Sequence, residues 1–183
     1  MRPFRSSLAL LPFLNSRGFA GPLLGALGGG LGVGFAAWIS LWLASALHVS
    51  AWLVAPLGAS AVLVFTAPAS PFARPHAVIA GNTISALVGI AVTCLVHSPV
   101  PAICLAVGLA IAVMSLLRCL HPPGGGTALL CVLLHVTDPV FAIFPTLVNS
   151  ALLVVFALAY NNLPGRGGYP VAAKPTGDVP ATE

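Results

Sequence analysis

Two stretches decide how this chain folds: HPPGGGTALL, from His121 to Leu130, and PLGASAVLVF, from Pro56 to Phe65. Each is a short apolar run broken near its start by Pro and Gly. At one common offset of 67 residues, Pro56 falls on Pro123, Gly58 on Gly125, Ser60 on Thr127, Ala61 on Ala128 and Leu63 on Leu130. The same offset sets Asn82 on Asn149 and Thr83 on Ser150. Matches of Ala and Leu come cheaply in an apolar chain, whereas paired Pro, Gly, hydroxyl and Asn positions do not. The chain therefore reads as two repeats, about 21–97 and 98–162, each a long apolar run, a broken short run and a second long run.

The long runs are Pro22–Leu47, His76–Val96, Pro99–Leu117 and Pro139–Asn161; the short ones are Ala51–Thr66 and Pro122–Val136. A helix needs about 20 apolar residues to cross a bilayer. Composition agrees: of 183 residues 58 % are hydrophobic and 5 % charged, with a mean hydropathy of +1.05. Soluble domains carry roughly a quarter charged residues, so a soluble enzyme, a disordered chain and a nucleic-acid binder are all excluded, despite a pI of 9.2. The expected fold is all-α: a polytopic membrane helix bundle of two three-segment inverted repeats with broken short helices. Residues 1–20 are expected to form an interfacial arm, 21–162 the transmembrane domain and 163–183 a flexible tail.

Charge placement sets the topology. Between Arg17 and Arg166 the formal charges are Arg74, Arg118 and Asp138 alone. With a cytoplasmic N-terminus and six crossings, all seven Arg and Lys residues fall in the cytoplasm, as the positive-inside rule asks. Re-entrant short runs would put Arg74 and Arg118 outside. The short runs are too brief for a full helical crossing, so part of each must be extended backbone. Such backbone survives in lipid only when shielded by protein or lining a water-filled cavity, which predicts that the short runs lie inside the bundle. The expected location is a bacterial inner membrane, with both termini cytoplasmic.

Short Gly/Pro-interrupted segments at matching positions of two halves point to a transporter's substrate site. The first N–H groups of a helix lack internal partners and carry a partial positive charge. Pro122 and Pro123 can open a helix. Gly124, Gly125 and Gly126 leave their N–H groups accessible, and Thr127 adds a hydroxyl. Gly58 and Ser60 offer a matching copy from the other half. Two such ends converging near the midplane suit a small inorganic anion. His121, just before the turn, either caps it or donates to the substrate and couples uptake to protons. Asn82 and Asn149 either bond between helices or line the path. Arg118 guides an anion at the cytoplasmic mouth or is a plain anchor. Gly28/Gly32 and Gly30/Gly34 make two GxxxG spacings, for internal packing or for a face against a second copy. The four cysteines show no metal-ligand spacing, no cofactor is called for, and Ser60 with His121 as a catalytic dyad has no supporting motif. An enzyme is not expected.

Taken together, HPPGGGTALL, PLGASAVLVF, APASPFARPHAVIAGN (Ala67–Asn82) and NNLPGRGGYP (from Asn161) resemble the HPP family of integral membrane proteins. The resemblance covers roughly Gly21 to Pro170. It implies a membrane protein, usually described with four spans, and makes nitrite the leading substrate, because some cyanobacterial and plastid relatives are implicated in nitrite transport. Two alternatives stand beside an anion carrier or channel. One is a non-transporting scaffold or sensor that assembles partners through the glycine-rich first helix. The other is a carrier of a neutral solute or cation that uses exposed carbonyls as ligands.

Overall fold

The computed structural model describes residues 20–48 and 54–171. Almost all of the expected N-terminal arm, Trp52 and the last part of the tail lie outside the described residues. Among the described residues every regular element is helical: α1 (Ala20–Leu47), α2 (Pro56–Thr66), a 3₁₀ turn (Pro71–Ala73), α3 (Pro75–Leu95), α4 (Pro99–Leu116), α5 (Pro122–Leu133), a wide-turn segment (Ala142–Leu147) and α6 (Val148–Asn161). Four spans are long and apolar enough to cross a membrane: Gly21–Leu47, Pro75–Leu95, Pro99–Leu116 and Ala142–Asn161. The chain is a polytopic helical membrane protein.

Proline sets the starts. Pro56, Pro71, Pro75, Pro99 and Pro122 each open an element, where a missing N–H costs nothing and φ is already helical. Two ends share a different device. Arg118 (φ 54°) and His135 (φ 51°) adopt the left-handed conformation just past α4 and α5. Cys119 N–H then bonds Met114 O and Val136 N–H bonds Cys131 O, both at 2.9 Å. These six-to-one bonds stop each helix sharply.

Contacts fix which ends lie together. Tyr160 Oη–H donates to Leu24 O at 2.8 Å, and Phe65 and Thr66 crowd Gly25. The start of α1 and the ends of α2 and α6 therefore share one end of the bundle. Tyr169 Oη–H donates to Ala73 O at 2.7 Å, which places the turn before α3 there too. At the opposite end Cys94 Sγ donates to Thr137 O at 4.0 Å, joining the end of α3 to the loop after α5. Successive segments alternate between the two ends, short helices included.

Glycine brings backbones together where the short helices dock. A Cβ on Gly89 would stand 2.7 Å from Ala128 O, and one on Gly81 would stand 2.6 Å from His121 Cβ. Ala102, Ala106, Ala110 and Met114 form a buried ridge on α4, one turn apart. Small residues permit such close approach, the chief source of helix association in lipid. The first GxxxG pair is used the same way. Gly28 and Gly32 seat the rings of Phe65, Tyr160 and Phe156, whereas Gly29, Gly30 and Gly34 face open space. Exposed Leu23, Leu27, Leu31, Trp38 and Trp42 line the outside of α1.

The early tail is packed, contrary to the expectation of flexibility from residue 163. Asn162 Nδ2–H donates to Tyr169 O at 2.7 Å, Asn162 Oδ1 accepts from Tyr169 N–H at 3.1 Å, and Tyr169 is buried. Arg166 stacks over Tyr160, 3.6 Å from the ring centroid. Burial raises the Tyr169 phenol above its ordinary value. Proline and glycine in the stretch signalled irregular backbone, and irregular backbone here is still anchored.

Candidate functional site

The two short helices meet. A Cβ on Gly126 would lie 3.4 Å from Pro56 Cγ, and Ser60 reaches His121, so α2 and α5 overlap side by side with opposed directions. The meeting point holds a closed set of buried polar side chains. His121 Nδ1 bonds Phe72 O at 2.8 Å. A carbonyl only accepts, so Nδ1 carries the hydrogen. In the neutral ring Nε2 then accepts, and Ser60 Oγ–H donates to it at 2.8 Å. Asn82 Nδ2–H donates to Ser60 Oγ and to Ser150 Oγ, each at 3.2 Å. Thr127 Oγ1–H donates to Asn82 Oδ1 at 3.1 Å.

Asn82 is the hub. It joins residues from α2, α5 and α6 to α3, and the Ser60 and Thr127 it binds are the hydroxyl pair of the 67-residue offset. It lies seven residues into α3, or about 10 Å at about 1.5 Å rise per residue. The network thus lies slightly to the Ala73 side of the middle of α3, within about 5 Å of it. Ser60, Asn82, His121, Thr127 and Ser150 are all buried, with His121 and Ser60 at 0 % exposure. A polar group in an apolar bundle is costly unless bonded, and each of these is bonded.

Several expectations are corrected. Two of the backbone amides expected to face a ligand, those of Gly58 and Gly124, are already engaged. Gly124 N–H bonds His121 O at 2.8 Å, Leu57 N–H bonds Val54 O at 2.8 Å and Gly58 N–H bonds Ala55 O at 3.1 Å. The first turns close tightly, i to i+3, and use their own carbonyls. Gly124 is a packing residue against Ser85 and Gly81, and a Cβ on Gly125 would lie 4.0 Å from Val107 Cγ1. Nor do the short helices lie wholly inside: Gly58, Ala59, Pro122 and Gly126 are exposed. They border two grooves. One, of about 480 Å³, runs between Pro56, Ala59, Leu63, Pro122, Pro123 and Gly126. The other, of about 330 Å³, separates α1 from α2 at Gly29, Gly30 and Gly58.

Other predicted residues disperse. Asn149 accepts from Ser40 Oγ–H on α1 rather than joining Asn82. Thr83 bonds Ile79 O of its own helix at 2.8 Å, so only Ser150 of that repeated pair enters the network. Arg118 is exposed at the end of α4, apart from the network. Ser60 and His121, which the sequence placed in one site without a dyad motif, are bonded. Sequence reasoning missed Ser150, Ser40 and the Phe72 carbonyl. Ser150 carried one signal, its place in the repeat; the other two carried none. Cys119 and Cys131 are buried, and among the described residues no group of three His, Cys, Asp or Glu could hold a metal.

A bundle of membrane-spanning helices with a polar knot where two broken helices cross defines an integral multi-pass membrane protein. The family profile "HPP, transmembrane region" matches residues 16–170. The chain belongs to the HPP transmembrane family. It is 36 % and 37 % identical, over 118 residues, to two transmembrane proteins of Dictyostelium discoideum. Each match covers 61 % of this chain, which spans 41 % and 38 % of those relatives. No solved structure matches the chain.

Proposed function

We propose that the protein is a transporter or channel for a small monovalent anion, with nitrite the first candidate, and that the anion passes the crossing of α2 and α5. One observation carries this reading: five side chains with hydrogen-bonding groups are buried together, in an apolar bundle, where the two broken helices meet. A buried polar cluster in a membrane bundle is by default a functional site. Its groups are neutral donors (hydroxyls, an amide and an imidazole), which suit a singly charged anion. The anion exchanges its hydration for these donors, and they return to one another when it leaves. The groove at Pro56 and Gly126 is the way in.

The crossing is the axis of an inverted repeat in this reading. Ser60 and Thr127 occupy matching places and bond the same amide. Arg74, Arg118 and Arg166 follow segment ends at the Ala73 side of the bundle, which we assign to the cytoplasm of a bacterial inner membrane, giving six crossings. The Ser60–His121 pair acts as a latch in this reading, its bond opening when the anion takes the Ser60 hydroxyl as a donor.

The test is flux into proteoliposomes from a panel of nitrite, nitrate, chloride and a neutral solute. Saturable nitrite uptake above that of protein-free vesicles supports the proposal, and no flux of any of them overturns it. A second reading has its own observation. Gly29, Gly30 and Gly34 face open space on α1, as on a face that assembles a second copy or a partner. That scaffold predicts no flux, and loss of assembly when Gly30 and Gly34 are enlarged.

A further inference from the structure

The turn between α2 and α3 is held by side chains from two distant parts of the chain. Pro71 opens this 3₁₀ turn and Pro75 opens α3 just after it. Pro75 has no N–H to offer the Phe72 carbonyl, which a continuing 3₁₀ turn would have used. Arg74 is extended (φ −60°, ψ 144°), so the Ala73 carbonyl falls before α3, where Val78 N–H bonds Arg74 O at 3.0 Å. Two consecutive carbonyls are thus left for other donors. His121 Nδ1–H takes Phe72 O at 2.8 Å, and Tyr169 Oη–H takes Ala73 O at 2.7 Å.

The tyrosine has a fixed place. It packs in one apolar core with Ala73, Leu57, Ala61 and Val78. Asn162 bonds both its N–H and its carbonyl. The chain between them turns back through Gly165 (φ 82°) and Gly168 (φ 81°), a left-handed backbone that glycine adopts freely. Gly168 N–H closes the loop on Asn161 O at 3.2 Å. Peptide units are planar and stiff, so neighbouring carbonyls of a single turn move together. A shift of Ala73 O therefore carries Phe72 O with it. Phe72 O is what keeps the hydrogen on His121 Nδ1 and leaves Nε2 to accept from Ser60.

We propose that Tyr169 is a positioning residue for the buried site: its docking sets the turn at Phe72 and Ala73, and the turn fixes the ring and tautomer of His121. In the transport reading, residues 163–169 are then a strap that keeps the Ser60–His121 pair closed; the positioning claim itself does not need that reading. It is tested on the purified full chain in micelles, with isotopically labelled histidine, by imidazole nitrogen NMR at pH about 8, where an ordinary imidazole is neutral. His121→Asn identifies the signal. The wild type should show His121 as one tautomer, with its hydrogen on Nδ1. Tyr169→Phe keeps the ring in the core and removes the hydroxyl, and the second tautomer should appear beside the first. Tyr160→Phe removes a hydroxyl bond at the same end of the bundle, to Leu24 O, and should leave the signal as in the wild type. The proposal fails if the wild type carries the hydrogen on Nε2 or if Tyr169→Phe leaves the signal unchanged. It fails equally if Tyr160→Phe changes the signal as much, which is general loosening. If Tyr169→Phe does not fold, Asn162→Ala, which frees the tail backbone, decides in its place by the same criterion. A tautomer change in Tyr169→Phe together with no anion flux through the wild type would sink the transport reading alone.

Discussion

Replacing Asn82 with alanine tests the network where it is most concentrated. The side chain gives two hydrogen bonds, to Ser60 and Ser150, and accepts one from Thr127. Its loss is not shared equally. Ser60 keeps His121, and Thr127 has a second acceptor in Pro123 O at 3.5 Å. Ser150 loses the one side-chain partner described for it, while sitting at 1 % exposure. Side-chain hydrogen bonds between membrane helices average about 0.6 kcal/mol, and an orphaned buried hydroxyl adds about 1–3 kcal/mol. Asn82→Ala should therefore cost about 3 kcal/mol. In a Ser150→Ala background the same change should cost about 1.5–2 kcal/mol less, because neither the Ser150 bond nor the orphan is there to lose. Equilibrium unfolding in mixed micelles, run as a double-mutant cycle, measures both numbers. A cost under about 0.5 kcal/mol, or the same cost in both backgrounds, would refute the network as a bonded unit.

Other outcomes follow from particular contacts. Gly28→Ala should destabilise the bundle, since its Cβ would collide with the Tyr160 ring and lie 2.7 Å from Phe65 Cδ1, whereas Gly30→Ala meets open space and should be neutral or slightly stabilising; detergent melting curves compare them. Tyr169→Phe removes the bond to Ala73 O, worth about 1 kcal/mol, and should speed proteolysis after Asn162. The raised phenol means that tail docking is fully present below the ordinary value of 10.0 and is lost as pH rises beyond it; proteolysis at alkaline pH should show the release in the wild type and not in Tyr169→Phe. Single cysteines at Arg74 and Arg118, in a background without the native thiols, should label from one side of the membrane and a cysteine at Asp138 from the other. Labelling of position 74 or 118 from the same side as 138 would reject the alternating topology.

What could be read in advance follows from where the physics is local. Helix starts were legible because proline at a first turn is a covalent constraint, and five elements begin on one. The meeting of α2 and α5 was legible because two short runs with the same Pro, Gly and hydroxyl spacing are each too brief to cross a membrane alone. Hydrogen-bond partners were not legible, since they depend on rotation about each helix axis. Asn82 and Asn149 match in sequence, yet one is a hub at the crossing and the other bonds α1. The amides of Gly58 and Gly124 were expected to be open, and tight first turns close them. Which GxxxG pair packs inward depended on the rings of Phe65, Phe156 and Tyr160, from two other helices. The wide turn at Ala142–Leu147 had a signal in Pro145, and the apolar run around it hid that signal.

The claim that solute crosses where α2 meets α5 is tested most directly by blocking the groove there. Gly126 is exposed at its edge, with Pro56 the nearest neighbour to an added side chain, so leucine at this position fills the groove from one wall. Isotopically labelled nitrite uptake is measured in proteoliposomes for the wild type, Gly126→Leu and a control, Gly30→Leu, after matched folding and incorporation are verified. The account predicts saturable uptake by the wild type and the control, and uptake at the level of empty vesicles for Gly126→Leu. Uptake by Gly126→Leu equal to the wild type would contradict it.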